Sequence, residues 1–303
     1  MVIDHHMYII GGTSEGEIFR DPDKIGTFLT DKTCETCCTY NMLKLTKQLF
    51  MHDPKAEYMD YYERGLYNHI LASQHDQSNH GFTTYFVPLK PGAKKRYSND
   101  YHSFSCCHGT GMENHTKYGE CIYFHKNDTL WINLFIPSEL TWKRKNITIR
   151  QETGFPEEQG STFIIGGNQT FSIKIRRPFW AQDGFSIRIN DVVQSKSTEP
   201  GTYVTIHRNW RDGDKISVIL PFQYRVEYTP DVTDVGGIMY GPVLLGGENI
   251  NSLVILNLDH SNLMNLFIED ENDPLHFTFQ GISFQPFYRI HDTPYSVYFN
   301  IPQ

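Results

Sequence analysis

The six cysteines are the residues of this chain with the most evident chemistry, and their distribution is uneven. All of them lie within the first 121 of 303 residues, at Cys34, Cys37, Cys38, Cys106, Cys107 and Cys121. A disulfide framework would be spread more evenly through a small chain. Two adjacent pairs in a chain of this length favour a metal site or a reactive thiol, with buried free thiols as the alternative.

Zinc is the metal that this set of residues favours, because it prefers thiolate, imidazole and carboxylate ligands. Glu35 and Cys37 form a Glu-x-Cys pair, and Gly109 after the second cysteine pair permits the irregular backbone that two adjacent ligands need. Spacing alone does not select the ligands. Several further side chains are of a suitable type: Cys34, Cys38, His102, His108 and His115.

Two kinds of zinc site fit these residues. A metal-bound thiol is deprotonated at neutral pH and is a good nucleophile. Facing a sugar's anomeric carbon, it can form a glycosyl thioether while a carboxylic acid protonates the departing oxygen, and two such displacements retain the anomeric configuration. A structural zinc site fits the same residues. A thiol redox protein is disfavoured, since no Cys-x-x-Cys lies in a βαβ pattern.

Helices are predicted around both groups of cysteines. Residues 34–51 have apolar residues at helical spacing, namely Met42, Leu45 and Leu49. Asp53-Pro54 interrupts this pattern, and a second helix is predicted over about 54–74, so that the two form an αα-hairpin. A short helix is expected to follow the segment Ser105–Gly111 and to run through Glu120.

From Ile122 onward the pattern becomes typical of β-structure. Strands are predicted at 130–136, 171–176, 185–190, 203–206 and 216–220. The last two are joined across the turn signature Arg211–Asp214. Short alternating strands at this spacing predict a β-sandwich that ends near Pro221. Residues 223–303 contain further strand-like segments and are expected to form a second small β-rich module.

Composition restricts the class of protein. The chain is 39% hydrophobic and 20% charged, which is typical of a soluble globular protein. Its formal net charge of −8 disfavours nucleic acid as a partner. No apolar run is long enough to span a membrane. Residues 1–6 have neither the basic start nor the apolar core of a signal peptide, which leaves the compartment open between cytoplasm and periplasm.

Four motifs, in order and rough spacing, resemble the β-L-arabinofuranosidase family (glycoside hydrolase family 127/146-like). They are Tyr-Ile-Ile-Gly-Gly through Gly-Glu at 8–17, Glu-Thr-Cys-Cys-Thr-Tyr-Asn at 35–41, Tyr-Glu-Arg-Gly-Leu-Tyr-Asn at 62–68, and Cys-Cys-His-Gly-Thr-Gly-Met-Glu at 106–113. The match is strong over residues 1 to about 125 and weaker through the β-rich remainder.

The resemblance implies a mixed α and β, multidomain architecture. Residues 1–121 would be the C-terminal portion of an (α/α)6 catalytic barrel, 122–222 a β-sandwich and 223–303 a second small β-rich module. Family members have an earlier part of the barrel before the first motif, so this chain is expected to be N-terminally truncated. A separate chain supplying that part, or a homo-oligomer, is the corresponding expectation for partners.

The resemblance also assigns the site. By motif, zinc is held by Glu35, Cys37, Cys106 and Cys107. Cys106 is assigned as the nucleophile and Cys107 as a ligand only. The general acid/base is Glu17, with Glu15 as the weaker alternative. Glu63 and Tyr85 are assigned to substrate binding, against the alternatives of a helix-surface charge and a packing aromatic.

Together these assignments predict a retaining glycoside hydrolase that releases terminal β-L-arabinofuranose from plant-type glycans. Its partner is then a carbohydrate. The alternative is a truncated, non-catalytic remnant, which would be a carbohydrate-binding or structural β-module protein with at most a structural zinc site.

Overall fold

A computed structural model describes residues 1–195 and 198–302 of the chain. The chain folds as two compact units. Unit 1 contains residues 1–45, 62–117 and those from 224 onward, and unit 2 contains 46–61 and 118–223. The three-part division at 121/122 and 222/223 remains a prediction, because one compact unit can contain more than one sequence domain.

The helices predicted at 34–51 and from about residue 54 are confirmed. The α-helices of the described residues are α1 Val2–His6, α2 Thr36–His52, α3 Ala56–Gly65 and α4 Cys106–Asn114. The second predicted helix extends beyond α3 as a π-helical turn, Leu66–Ile70, and a 3₁₀ turn, Leu71–Ser73. The short helix predicted after Gly111 is wrong in both bounds, since α4 begins at Cys106 and ends at Asn114, before Glu120.

The apolar residues at helical spacing do not mark the buried face of α2. Leu45 and Leu49 are 51% and 41% exposed, whereas the buried stripe is Thr39, Leu43, Thr46 and Phe50. Threonine can enter a core when its hydroxyl finds a partner, and Thr39 Oγ1 lies 2.7 Å from His69 Nδ1. A hydrophobicity pattern counts threonine as polar, and for this reason it does not mark this face.

Strands dominate the chain after α4. The described residues contain β1 Tyr123–Lys126, β2 Thr129–Ile132, β3 Ser138–Trp142, β4 Ile147–Glu152, β5 Gly160–Gly166, β6 Gln169–Arg177, β7 Ser186–Ile189, β8 Val192–Val193, β9 Thr202–Trp210, β10 Lys215–Ile219, β11 Tyr224–Tyr228, β12 Val235–Tyr240, β13 Val243–Glu248, β14 Ile268–Glu269, β15 Phe277–Phe279, β16 Ile282–Pro286, β17 Tyr295–Ser296 and β18 Phe299–Asn300. The predicted sheet-rich C-terminal part is therefore confirmed.

Unit 2 is built on two sheets that share a core. One has the order β1-β2-β6-β9 and the other β3-β4-β5-β10-β7-β8. Residues of β4 alternate between buried and exposed, as expected of a strand with one face on a core. Trp142 of one sheet and Phe171 of the other meet with ring centroids 5.5 Å apart. This contact indicates two sheets packed face to face, as in a sandwich.

The turn at Arg211–Asp214 does not close a hairpin, although the strands on either side of it were predicted correctly. β9 pairs with β6, and β10 pairs with β5 and β7 in the other sheet. Asp214 Oδ2 accepts a hydrogen bond from the Arg211 backbone at 2.9 Å, and Asp214 Oδ1 accepts one from Asn190 at 2.8 Å. The turn therefore carries the chain from one sheet to the other.

Unit 1 depends on its C-terminal sheet, which has the order β11-β12-β13-β16-β15-β14, with β17 on β13 and β18 on β12. Its core combines residues from both ends of the chain, including Ile9, Ile10, Leu244 and Val297. The Arg64 guanidinium of α3 forms two hydrogen bonds with the Glu227 carboxylate of β11, at 2.6 and 2.7 Å. The segment that carries the Tyr-Glu-Arg-Gly motif is thereby held against a sheet that lies more than a hundred residues later in the sequence.

The chain is thus a mixed helix and sheet protein. No helix among the described residues has the length and apolar character needed to cross a membrane.

Candidate active site

The proposed metal ligands lie at the beginnings of two helices in unit 1. Glu35 immediately precedes α2 and Cys37 is its second residue, while Cys106 and Cys107 are the first two residues of α4. The N-terminus of a helix carries partial positive charge from its free backbone N–H groups. Carboxylate and thiolate groups are therefore stabilised at both positions.

These four side chains converge. One donor atom from each of Glu35, Cys37, Cys106 and Cys107 lies within 4.8 Å of the others. Glu35 Oε1 is 3.4 Å from Cys107 Sγ and 3.9 Å from Cys106 Sγ, and the two adjacent sulfurs are 4.0 Å apart. Three sulfurs and one carboxylate oxygen at such separations match the ligand types and ligand number that zinc prefers. The donor set therefore fits zinc.

The cluster contains one exposed sulfur. Cys107 is fully buried and Cys37 nearly so, whereas Cys106 is exposed. Burial raises the pKa of the Cys107 and Cys37 thiols. The Tyr85 hydroxyl, by hydrogen bonding to Sγ, holds the pKa of Cys106 below its usual range. Cys106 is thus the sulfur of the cluster that is accessible to a substrate.

Tyr85 connects the cluster to Glu17. Its hydroxyl donates a hydrogen bond to the Glu17 carboxylate and lies 3.5 Å from Cys106 Sγ. The segment around Tyr85 is held against the start of α2, since Thr36 N donates to Tyr85 O at 3.0 Å. Glu17 is itself exposed and has a positive φ of 68°. An exposed carboxylate and an exposed thiol therefore contact the same hydroxyl group.

Glu15, the alternative acid/base, has a different environment. Its carboxylate is 7% exposed, pairs with the Arg20 guanidinium and accepts a hydrogen bond from Thr30 Oγ1 at 2.8 Å. Burial opposes ionisation, but the Arg20 and Thr30 hydrogen bonds hold the pKa of Glu15 below its usual range. A carboxylate fixed in its ionised form is a poor proton donor, and these contacts are those of a loop anchor.

Glu63 is only 2% exposed and lies in the last turn of α3. Its charge acts on the half-buried Arg225 guanidinium. The residue is therefore placed in the interior of unit 1, not on a helix surface. Its assignment to substrate binding remains a prediction.

The other candidate ligands lie outside the four-donor cluster. Cys38 Sγ donates to the opposite carboxylate oxygen, Glu35 Oε2, at 3.4 Å. His108 Nδ1 is 2.8 Å from Ser105 Oγ, His115 is half-buried and Cys34 is buried. Cys34 and the remaining cysteine, Cys121, are buried and form no disulfide.

One residue at the cysteine cluster was not predicted from the sequence. Thr110 Oγ1 lies 3.2 Å from Cys37 Sγ and also donates to Cys107 O, and it therefore contacts a ligand sulfur of α2 and the backbone of a ligand residue of α4. The only sequence signal was the position of Thr110 between two glycines.

Family profiles agree with this geometry. The profile of the β-L-arabinofuranosidase GH127 catalytic domain matches residues 1–120, and that of the GH127 middle domain matches residues 129–222. The chain belongs to the GH127 β-L-arabinofuranosidase family. All seven predicted site residues lie within the part of this GH127 chain that matches the catalytic domain.

Solved structures share the fold of the GH127 chain. A glycoside hydrolase superposes with a TM-score of 0.83 at 16% identity, over 100% of this chain and 61% of its own. A GH127 β-arabinofuranosidase gives 0.80 at 21% identity, over 99% and 55%. A GH127 β-L-arabinofuranosidase from Geobacillus stearothermophilus T6 gives 0.79 at 18% identity, over 99% and 55%. The chain thus spans somewhat more than half the length of these proteins. No protein of curated function matches it in sequence.

Proposed function

We propose that this chain carries the catalytic residues of a retaining glycoside hydrolase that releases terminal β-L-arabinofuranose from plant-type glycans. The observation that supports this most directly is the shared contact of Glu17 and Cys106 with the Tyr85 hydroxyl, beside the four-donor cluster. A structural zinc site would not require an exposed sulfur next to an exposed carboxyl.

In this proposal Glu35, Cys37, Cys106 and Cys107 hold a zinc ion, which when bound keeps the cysteine sulfurs deprotonated. The Cys106 thiolate attacks the anomeric carbon as the glycosidic C–O bond breaks, and Glu17 gives its proton to the departing oxygen. A covalent glycosyl–cysteine intermediate results. The Glu17 carboxylate then takes a proton from water, which displaces Cys106 and releases the sugar with its configuration retained.

We also infer that residues 1–121 form the C-terminal portion of an (α/α)6 barrel. The exposed Leu45 and Leu49 of α2 support this, because a helix of a closed barrel buries apolar residues on both faces. A separate chain, or a second copy of this chain, would cover that face.

The proposal is tested with a chromogenic β-L-arabinofuranoside and by zinc analysis of variants prepared alike. We expect Cys106→Ala to lose turnover and part of its zinc. Cys38→Ala is the matched control, since Cys38 neighbours the cluster without belonging to it, and it should retain both. Absence of both zinc and turnover from the unmodified chain would contradict the proposal and favour the non-catalytic remnant.

The acid/base assignment is tested in the same series. Glu17→Gln should keep its zinc and lose turnover by roughly 10²–10⁴-fold, because proton transfer contributes about that much. Azide, which needs no deprotonation, should restore turnover of a substrate with an activated leaving group. Glu15→Gln should lower the stability of the chain and leave its turnover unchanged. Azide rescue of Glu15→Gln in place of Glu17→Gln would reverse the assignment.

A further inference from the structure

A second group of potential ligands lies in unit 1, outside the cysteine cluster. It consists of His75, Asp76 and His291, each of which offers one ligand atom within 4.8 Å of the others. In sequence these residues belong to two His-Asp pairs, His75-Asp76 and His291-Asp292. The fold brings the two pairs together across more than two hundred positions: His75 Nε2 lies 3.1 Å from Asp292 Oδ2.

The ring nitrogens of this group are poorly satisfied by the protein. His291 is 6% exposed, and its Nε2 atom is buried without a hydrogen bond. Asp76 Oδ1 lies 2.9 Å from this nitrogen, but the contact does not have hydrogen-bond geometry. His75 Nδ1 is also buried without a partner. A buried unsatisfied polar atom costs about 1–3 kcal/mol, so an arrangement with two of them requires an explanation.

The His291 ring is fixed from its other side. Its Nδ1 atom lies 2.7 Å from the hydroxyl of the half-buried Tyr97, and the His75 and His291 rings stack with centroids 4.9 Å apart. A partner on one ring nitrogen sets the direction and tautomer of the other, which is how proteins orient metal-binding histidines. Nε2 of His291 is thereby directed to the Asp76 carboxylate.

The surroundings are negatively charged. A cleft of about 510 Å³ beside this group is lined by the carboxylates of Asp76, Glu248, Asp273 and Asp292 and by the guanidinium of Arg289. Arg289 pairs with Asp273 at 3.1 Å. The Lys95 ammonium donates to Phe287 O at 3.0 Å, and burial lowers the pKa of Lys95 to about 7, which limits the positive charge that it places near His291. The cleft therefore favours a cation.

We propose that His75, Asp76 and His291 form a second metal site, for a divalent first-row transition ion. Two imidazoles and one carboxylate are ligands that such ions accept, with further positions open to water from the cleft. The ion would cross-link two segments that are far apart in the sequence. Because the ion would bind the folded state and not the unfolded state, it would stabilise unit 1, independently of any catalysis at the cysteine cluster.

The test is titration of the metal-free full chain with Co²⁺ and Zn²⁺. Absorption separates the two sites, because only the cysteine cluster gives thiolate-to-cobalt charge transfer. We expect each chain to bind two equivalents of metal ion, one of which produces no charge-transfer band. Asp76→Asn and His75→Gln should abolish binding of this band-free equivalent and leave the other unchanged. Tyr97→Phe should weaken it by about tenfold, because it frees the His291 ring.

The matched control is Asp100→Asn. His80 and Asp100 form an ion pair at 2.8 Å, but both are exposed and belong to no ligand group of the described residues. This variant should still bind both equivalents. Asp76 is 60% exposed, so Asp76→Asn is not expected to unfold the chain. The proposal is overturned if the band-free equivalent is missing from the unmodified chain or persists in Asp76→Asn. If the chain binds a metal equivalent but no charge-transfer band appears at any stage of the titration, the result supports this site and contradicts the cysteine site.

Discussion

Tyr85 is the residue that most directly relates the chemistry of this chain to its fold. The resemblance assigned it to the sugar pocket, and the structure adds contacts from its hydroxyl to the Glu17 carboxylate and to Cys106 Sγ. These contacts hold the proposed acid/base and nucleophile in one place. Positioning of this kind supplies a large part of enzymatic rate enhancement.

Tyr85→Phe should therefore lower kcat by roughly ten- to a hundredfold, as loss of an orienting hydrogen bond commonly does. Zinc content should stay the same, because Tyr85 is not one of the four donors. The measurements are steady-state kinetics on the arabinofuranoside and metal analysis. Tyr101→Phe, at a residue 86% exposed, is the control and should behave as the unmodified chain. Unchanged kcat in Tyr85→Phe would show that the hydroxyl has no catalytic importance.

At the scale of elements, α3 and β6 are joined within unit 2 by a buried ion pair. Arg176 of β6 is fully buried, its guanidinium pairs with Asp60 of α3, and its Nε donates to Asn133 O at 2.6 Å. Asp60 is 9% exposed and also accepts from Phe179 N at 3.4 Å. Such a pair adds little net stability when intact, but loss of one member leaves a buried charge without compensation.

Asp60→Asn should consequently lower the free energy of unfolding of unit 2 by roughly 3–5 kcal/mol. Urea unfolding followed by tryptophan fluorescence measures this unit alone, because all four tryptophans, Trp131, Trp142, Trp180 and Trp210, belong to it. Glu152→Gln breaks the exposed Arg150–Glu152 pair and should cost less than about 1 kcal/mol. Equal losses in the two variants would mean that burial of Arg176 is not the cause.

At the scale of the molecule, unit 1 combines motif-bearing residues with a C-terminal sheet. The Arg64–Glu227 pair is one link, and Asn68 is another, since its side chain bonds both Pro242 O at 3.0 Å and Leu244 N at 2.7 Å. The Tyr295 hydroxyl donates to Pro88 O at 2.6 Å and thereby holds the segment that carries Tyr85. The site in unit 1 therefore depends on residues beyond position 223.

This dependence predicts a specific pH effect. Burial opposes ionisation of Glu227, but Arg64 and Arg225 hold its pKa at about 2, below the ordinary 4.5. Because the folded-state pKa is depressed, the pair's contribution is present above pH 4.5 and is lost as the pH falls toward 2. In Glu227→Gln this pH-dependent contribution to stability should be absent, and the free energy of unfolding at neutral pH should fall by up to about 3 kcal/mol.

Amide hydrogen exchange of residues 8–12, compared between pH 7 and pH 3, measures this in unit 1. Protection in the unmodified chain should decrease on acidification by more than protection in Glu227→Gln. The control is Glu271→Gln, at an exposed residue of the same unit, and its pH dependence should match that of the unmodified chain. An equal decrease in Glu227→Gln and the unmodified chain would rule out the link.

The strands predicted at 130–136, 171–176, 185–190, 203–206 and 216–220 each overlap a strand of the structure, because local periodicity and turn residues determine them. The limits of the sequence appear where local pattern and tertiary contact diverge. Leu45 and Leu49 have helical spacing, yet the buried face of α2 contains threonines. The turn at Arg211–Asp214 was recognised, but pairing partners depend on which sheet each strand joins, and no local signal specifies that.

The sequence by itself determined the chemistry available to this chain. Adjacent cysteines, a Glu-x-Cys pair and four ordered motifs identified a zinc-type donor set and the family, since donor type and motif order are properties of the chain alone. Only the tertiary structure decided which donors converge, placed Thr110 against Cys37, and brought two His-Asp pairs from distant segments together. Convergence depends on packing between residues far apart in sequence, and spacing along the chain does not encode those distances.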